Sequence, residues 1–366
     1  MLLQFDSSIK NFDVNCVKQS RALETLLGAF QSNQHVIFID LNDLRFLKEH
    51  VKEVVSASSR VALQSLMNRA VEYQSLLSVI EYKIIVYLAD AYRQGVNRQG
   101  NTWFVPLEYF AGSGIIQSAI LGENDLDAEL FIHFAQIYQY RQRLNSFLLA
   151  GRPKSGGGSG TPRTLTNYLR HEYSPCLCVT DSDKLHPGYK QSSTSRNCRR
   201  AAQIKNRVVE YISLEEREIE NLLPVDLLKK VVSIDDFSRE FDNNVIEGDN
   251  FWKYIDLKEG VSLKWIEKRD PVTQQFWKKA KSSLSRRVKN CGFCKELEGE
   301  AEKEKCHCST IKGLGDQVLE RVVTYLNENQ PKFTSKLLQD DNRWERLGKM
   351  VFDFSIAPRG EMLFAA

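Results

Sequence analysis

The apolar positions of the chain change rhythm twice along its length. From Arg60 to Arg93 they recur every three or four residues, at Val61, Leu63, Leu66, Met67, Val71, Leu76, Leu77, Ile80, Ile84, Ile85 and Leu88. That spacing lines one face of a helix. With one short strand at residues 35–39, just ahead of Asp40, it predicts a mainly helical region over residues 1–112. The most apolar stretch, Tyr73 to Tyr92, is interrupted by Glu81, Lys83 and Asp90. It therefore reads as a buried helix rather than a membrane span.

Over residues 113–235 short apolar runs alternate with helical segments. The runs at 115–121, 147–150 and 175–180 are strand-like. One helical segment carries Leu130, Phe131, Phe134, Ile137 and Tyr138 on one face, and another runs from Pro162 to His171. This alternation implies parallel strands in a sheet covered by helices on both faces. In such sheets the chemistry gathers beyond the carboxyl ends of the strands. Residues 236–366 are polar and aromatic, with Trp252, Trp265, Trp277 and Trp344, a basic segment from Lys278 to Lys289, and a last helix over 314–328. The expected architecture is α/β in three blocks, 1–112, 113–235 and 236–366.

Composition changes this picture little. A chain of 366 residues, 42% hydrophobic and 27% charged, can bury a core without a disulfide scaffold. The first residues lack a basic segment followed by a long apolar one, so no secretory signal is expected. Eight cysteines in such a chain point to the reducing cytoplasm, where clustered cysteines more often hold zinc than form disulfides. The formal charge of +3 hides a local bias. Between Arg141 and Arg207 thirteen Lys or Arg accompany three acids, Glu172, Asp181 and Asp183. A basic field around a pair of aspartates suggests a polyanionic partner, although a solvated basic surface is the plainer explanation.

The acids fall at informative places. Glu123 follows the first strand of the middle block, with Asp127 four residues later at the start of a helix, and Asp181 and Asp183 follow the third strand. On an extended chain alternate residues share a face, so these two aspartates are expected to point the same way. Four converging carboxylates repel one another unless a cation joins them. Mg²⁺, or Mn²⁺, is the natural choice: it takes hard oxygen ligands and leaves positions open for phosphate oxygens. Any single carboxylate of this kind is more often a cap, Asp127 above all. The run Gly156-Gly157-Gly158-Ser159-Gly160 between the acidic pairs could be a tether. Ahead of a helix, however, its N–H groups could cradle phosphate, with Gly157, Gly158 and Gly160 as the contacts.

The order of these pieces resembles the Toprim domain of topoisomerases, primases and overcoming-lysogenization-defect nucleases. The resemblance is carried by Leu121-Gly122-Glu123-Asn124-Asp125-Leu126-Asp127, by the glycine run, by Val179-Thr180-Asp181-Ser182-Asp183-Lys184, and by Arg217-Glu218-Ile219-Glu220-Asn221. The last is similar to a stretch of the nuclease branch in which a further Glu joins the metal site, which here falls on Glu220. Asn124 departs from the family, which usually has Gly after its Glu. The resemblance implies a Toprim-like parallel sheet and Mg²⁺-dependent cleavage of DNA or RNA. Glu123 would serve as ligand or general base, Asp127, Asp181, Asp183 and Glu220 as ligands, and Lys184 as a phosphate contact. Nothing resembles the tyrosine module of topoisomerases. Members of the nuclease branch often serve in anti-phage defence and are often held inactive until a partner or trigger acts, so a regulatory protein partner is an expectation beside nucleic acid, with a homo-oligomer left open. Rival expectations are a non-catalytic nucleic-acid-binding or adaptor protein and a primase-like nucleotidyl transferase.

One motif lies outside this resemblance. Cys291-x-x-Cys294 followed by Cys306-x-Cys308 has the pairing of a structural Zn²⁺ site, with His307 an alternative fourth ligand. Cys176 and Cys178 sit in a strand and are expected in the core. A zinc-stabilised C-terminal region completes the expected fold, with no membrane contact.

Overall fold

The periodic stretch from Arg60 to Arg93 does not form one helix. In the computed structural model, which describes residues 1–90, 93–112, 115–232, 251–284, 309–337 and 343–360, it is broken into helices and a strand. The elements of residues 1–112 are β1 (Leu2–Phe5), α1 (Val17–Gln31), β2 (Val36–Phe38), α2 (Leu41–His50), α3 (Ala57–Asn68), α4 (Ala70–Ser75), β3 (Lys83–Tyr87), β4 (Asn97–Gln99) and β5 (Thr102–Pro106). The strands form a sheet ordered β2-β1-β3-β5-β4, parallel except for β4 at the edge. The mainly helical region expected here is therefore a helix-flanked sheet, and the helix expected over Tyr73–Tyr92 contains β3. Its sequence, KIIVY, matches the helical spacing, yet its β-branched residues suit a strand better. A short apolar run supports either reading until it meets a partner, and β1 supplies one along four register pairs.

The second sheet holds the motif-bearing strands. It is ordered β10-β9-β6-β8, from β6 (Ala119–Gly122), β8 (Arg152–Ser155), β9 (Cys176–Thr180) and β10 (Val209–Ser213). β6 runs parallel to β8 and to β9. Hydrogen bonds from Cys176 N to Val208 O (3.0 Å) and from Leu214 N to Thr180 O (2.9 Å) set β10 in the same direction. α5 (Asp125–Arg141), α6 (Thr161–His171) and α7 (Ser193–Ala201) connect the strands. The apolar run at 147–150 does form a strand, β7 (Phe147–Leu149), but it pairs antiparallel with Ile356–Pro358 rather than entering this sheet. The strand that enters is β8, whose polar Arg-Pro-Lys-Ser gives no hydrophobic signal. It lies at the sheet edge, where Pro153 is tolerated.

The chain divides into two compact units that do not follow the three expected blocks. The first comprises Met1–Val179, Asn197–Ile212 and Glu345–Ala366, the second Thr180–Arg196 and Ser213–Trp344. In the first, helix Glu345–Ser355 packs on α5, and the buried Asp353 accepts hydrogen bonds from the N–H groups of Glu81 (2.9 Å) and Tyr82 (3.0 Å). Cys176 and Cys178 are buried in its core, as expected. Burial pushes the Cys176 thiol up to about 12, and a hydrogen bond with Cys198 together with burial raises Cys178.

The second unit contains α8 (Val225–Val231), β11 (Gly260–Ser262), α9 (Leu263–Glu267), α10 (Pro271–Leu284), β12 (Ser309–Lys312), α11 (Val318–Glu328) and α12 (Pro331–Leu337), with β11 and β12 antiparallel. Its core is aromatic. Phe276 lies 4.9 Å from Phe251 and 5.3 Å from Trp277 between ring centroids. Trp277 Nε1 donates to Leu185 O at 3.0 Å, which anchors the segment downstream of Asp183. The expected zinc ligands Cys291, Cys294, Cys306 and Cys308 lie outside the described residues. Among the described residues no helix is long and apolar enough to cross a membrane.

Candidate functional site

In the first unit, Gly122 ends β6 where the backbone turns sharply into α5. A Cβ on Gly122 would lie 2.8 Å from Ala128 N and 2.9 Å from Asp127 Cβ, so only glycine lets the helix start this close. Asp127 is buried and its Oδ2 accepts from Asn124 N at 2.9 Å, the reciprocal half of a capping box. One of its oxygens is thus committed to the helix start, the role a lone aspartate there most often takes. Asn124, the departure from the family pattern, is the N-cap residue. Glu123 stands between the strand end and this cap.

The glycine run is a folded turn rather than a tether. Gly156 N donates to Gly122 O and Gly158 N to Glu123 O, each at 2.8 Å. Gly157 and Gly158 have φ of +79° and +59°, a region that favours glycine. A Cβ on Gly156 would meet Thr161 Oγ1 at 2.2 Å. Thr161 Oγ1 and Thr164 Oγ1 donate back to the carbonyls of Gly158 (2.6 Å) and Gly156 (3.0 Å). Of the three glycines expected to contact phosphate, Gly158 and Gly160 donate their N–H groups to Glu123 O and Gly157 O. What the run does is hold the Glu123 turn against the start of α6. β9, the parallel neighbour of β6 with Leu121 opposite Cys178, leads into Asp181.

In the second unit, Asp181 and the Arg217–Asn221 stretch come together. Asp181 Oδ1 accepts from Ile219 N at 3.0 Å. Ser182 N and Asp183 N both donate to Arg217 O, at 3.0 and 2.9 Å, and Ser182 Oγ donates to Glu216 O. Asp183 has a φ of +53°, so the segment is not extended here and the alternation expected for Asp181 and Asp183 does not apply. The bonds to Arg217 hold the left-handed turn, which aspartate tolerates better than most residues, and Asp183 is exposed. Lys184 follows, its N–H 3.3 Å from Ser182 Oγ. Asn221 is fully buried and locks the stretch down, donating to Trp252 O (2.6 Å) and Ile255 O (3.0 Å) while Trp252 Nε1 donates to Asn221 O (2.8 Å).

The charges beside it are the part that sequence reasoning missed. Lys258 Nζ lies 3.0 Å from Glu220 Oε1 and 3.7 Å from Glu218 Oε2. Arg217 pairs with Asp256 at 2.6 Å and with Glu218 at 3.2 Å. Asp256 Oδ1 accepts from Lys258 N and Glu259 N, fixing the turn that presents the lysine. Burial alone would lower the Lys258 pKa, but Glu220 and Glu218, with Asp181 beyond, raise it above the usual lysine value. Burial pushes the Glu218 carboxyl up to about 7 against the pull of Arg217 and Lys258. In sequence, Asp256-Leu257-Lys258-Glu259-Gly260 reads only as a turn, with no spacing that ties it to Glu220.

Glu220 is fully buried, and its Oε2 has no hydrogen-bond donor among the described residues. An orphaned buried oxygen in a set of carboxylates suits a hard divalent cation. As placed, though, no group of three or more His, Cys, Asp or Glu among the described residues is arranged to hold a metal ion, and Lys258 supplies the local positive charge. The chain matches no protein-family model, no curated protein and no solved structure.

Proposed function

We propose that this protein is a metal-dependent nuclease of the Toprim kind, cleaving phosphodiester bonds of DNA or RNA, with a role in anti-phage defence. The observation that carries the reading is the pairing of β6 with β9. The strand that leads into Glu123 and the strand that leads into Asp181 are parallel neighbours, and ligands of open α/β sheets bind beyond such strand ends. Glu123, Asp181, Asp183 and Glu220 would hold Mg²⁺ or Mn²⁺. The ion would supply charge stabilisation to the phosphate and lower the pKa of a bound water. Asp127 keeps its capping oxygen and orients the Glu123 turn. The glycine run braces that turn from the other side, and Lys184 contacts phosphate. Cys291, Cys294, Cys306 and Cys308 would hold one structural Zn²⁺.

A non-catalytic nucleic-acid-binding role is favoured by one observation. Lys258 already balances Glu220 and Glu218, as in a purely structural charge network. Two measurements separate the readings. Calorimetry with Mn²⁺ should show binding that Glu220→Gln and Asp181→Asn weaken, and purified protein should nick or degrade nucleic acid with Mg²⁺ or Mn²⁺ in a way that Glu123→Gln abolishes. Metal binding without cleavage under any tested condition supports the rival, and undiminished cleavage by Glu123→Gln removes that residue from the site.

A further inference from the structure

α6 and α7 cover the same face of the four-stranded sheet. Leu165, Tyr168 and Leu169 of α6 and Cys198 of α7 pack against Ala119, Leu121, Cys176 and Cys178. The opposite sides of these helices face solvent, and their charges share one sign. Arg163 and Arg170 on α6, Arg199 and Arg200 on α7, and Lys205 just beyond are all exposed. Among the described residues none of the five is ion-paired with a carboxylate. Some other cations of the same unit have carboxylate partners, Lys10 with Asp43 (2.9 Å), Arg69 with Glu72 (2.8 Å), Arg93 with Asp6 (2.6 Å) and Arg98 with Glu210, whereas α6 and α7 themselves carry no acidic residue.

Helix stability explains only part of this. Arg170, Arg199 and Arg200 lie in last turns, where the helix dipole favours a cation. Arg163 lies in the first turn of α6, where the same dipole disfavours one. It follows, after Thr161 and Pro162, the glycine run that is bonded to the Glu123 carbonyl. The exposed residues of the two helices include Asn167 and Asn197, hydrogen-bonding groups rather than the apolar centre that protein interfaces carry, and Ile204, beside Lys205, is the large apolar side chain exposed there. An unneutralised cationic face with polar filling suits sugar and phosphate.

We propose that this α6–α7 face docks the phosphate backbone of nucleic acid, with Arg163 at the end nearest the Glu123 turn. The inference rests on the nuclease reading for its choice of polyanion, and the following experiment fails separately from it. The full chain is titrated into a short fluorescent duplex and its single strand in EDTA, where no metal-dependent cleavage occurs, at several salt concentrations. The variant Arg163→Gln/Arg170→Gln/Arg199→Gln/Arg200→Gln should bind at least about tenfold more weakly, with the slope of log K against log salt reduced by roughly 0.9 per lost duplex phosphate contact. The single variant Arg163→Gln should weaken binding without lowering Tm, and Arg98→Gln, in β4 of the five-stranded sheet, should leave binding unchanged. Wild-type-like binding by the quadruple variant overturns the surface while metal-dependent cleavage by the wild type still stands. Binding to phosphatidylserine vesicles but not to nucleic acid overturns it as well.

Discussion

Two carboxylate-bearing regions of this molecule are built by different physics. The Glu123 turn of the first unit is held by backbone geometry: a glycine that admits the helix start, a capping aspartate and a glycine run whose N–H groups close on neighbouring carbonyls. The Asp181–Glu220 region of the second unit adds charge to its hydrogen bonds, with Lys258 and Arg217 balancing Glu218, Glu220 and Asp256. A backbone-built turn is rigid whether or not a ligand arrives. A charge-built one answers to anything that alters the balance of charge, including a divalent cation or pH.

The sharpest way to break this comparison is to remove Lys258. Lys258→Met would leave Glu220 buried without its counter-charge, a change that costs about 3–4 kcal/mol when a buried pair is broken, the low end of the range because the lysine side chain is 34% exposed. Urea denaturation followed by tryptophan fluorescence measures it, and added Mn²⁺ should restore part of the loss if a cation takes the lysine's place.

The next effect is a pH dependence. The Glu218 carboxyl sits at about 7 in the folded chain because burial disfavours its charge. Its folded pKa lies above its unfolded value, so the stability tied to its protonated form is fully present below the ordinary carboxylate range. That stability is lost as pH rises through about 7, on the order of 3 kcal/mol at most. Asp353 in the first unit is raised to about 7 by burial as well and carries the same sign. Hydrogen exchange in an Asp353→Asn background therefore isolates the second unit: it should loosen between mildly acidic and mildly alkaline pH, and Glu218→Gln should flatten the profile. The Glu123 turn should not respond.

Smaller effects test the backbone-built side. Gly156→Ala drives a methyl into Thr161 and should cost about 2 kcal/mol, with Thr161→Ser in the same chain recovering part of the loss. Asp127→Ala removes a helix cap and should lower stability by about 1 kcal/mol, visible as a modest fall in Tm. A loss of Mn²⁺ affinity in Asp127→Ala as large as in Asp181→Asn would place Asp127 among the ligands rather than in the cap alone.

The part of the fold legible in the sequence was the part made by neighbours along the chain. Within residues 119–180, β6, α5, β7, α6 and β9 form close to where their apolar rhythm puts them. The cap between Asn124 and Asp127 is made within one turn of chain, so the start of α5 could be anticipated in outline, whereas the bonds from Gly156 and Gly158 to Gly122 and Glu123 join segments far apart along the chain. Two elements misled for stated reasons. β3 matches a helical spacing that only its pairing with β1 and β5 overrules, and β8 is too polar to announce itself because an edge strand needs little burial.

What the sequence by itself determined was which residues carry charge, where strands end and where only glycine fits. The tertiary structure decided how those charges are balanced. Lys258 and Asp256 lie far along the chain from Glu218 and Glu220, and Asp183 takes a left-handed turn because Arg217 O accepts from its N–H. Ion pairs and long-range hydrogen bonds leave no periodic trace in a sequence, since they need only two groups that folding brings within about 4 Å.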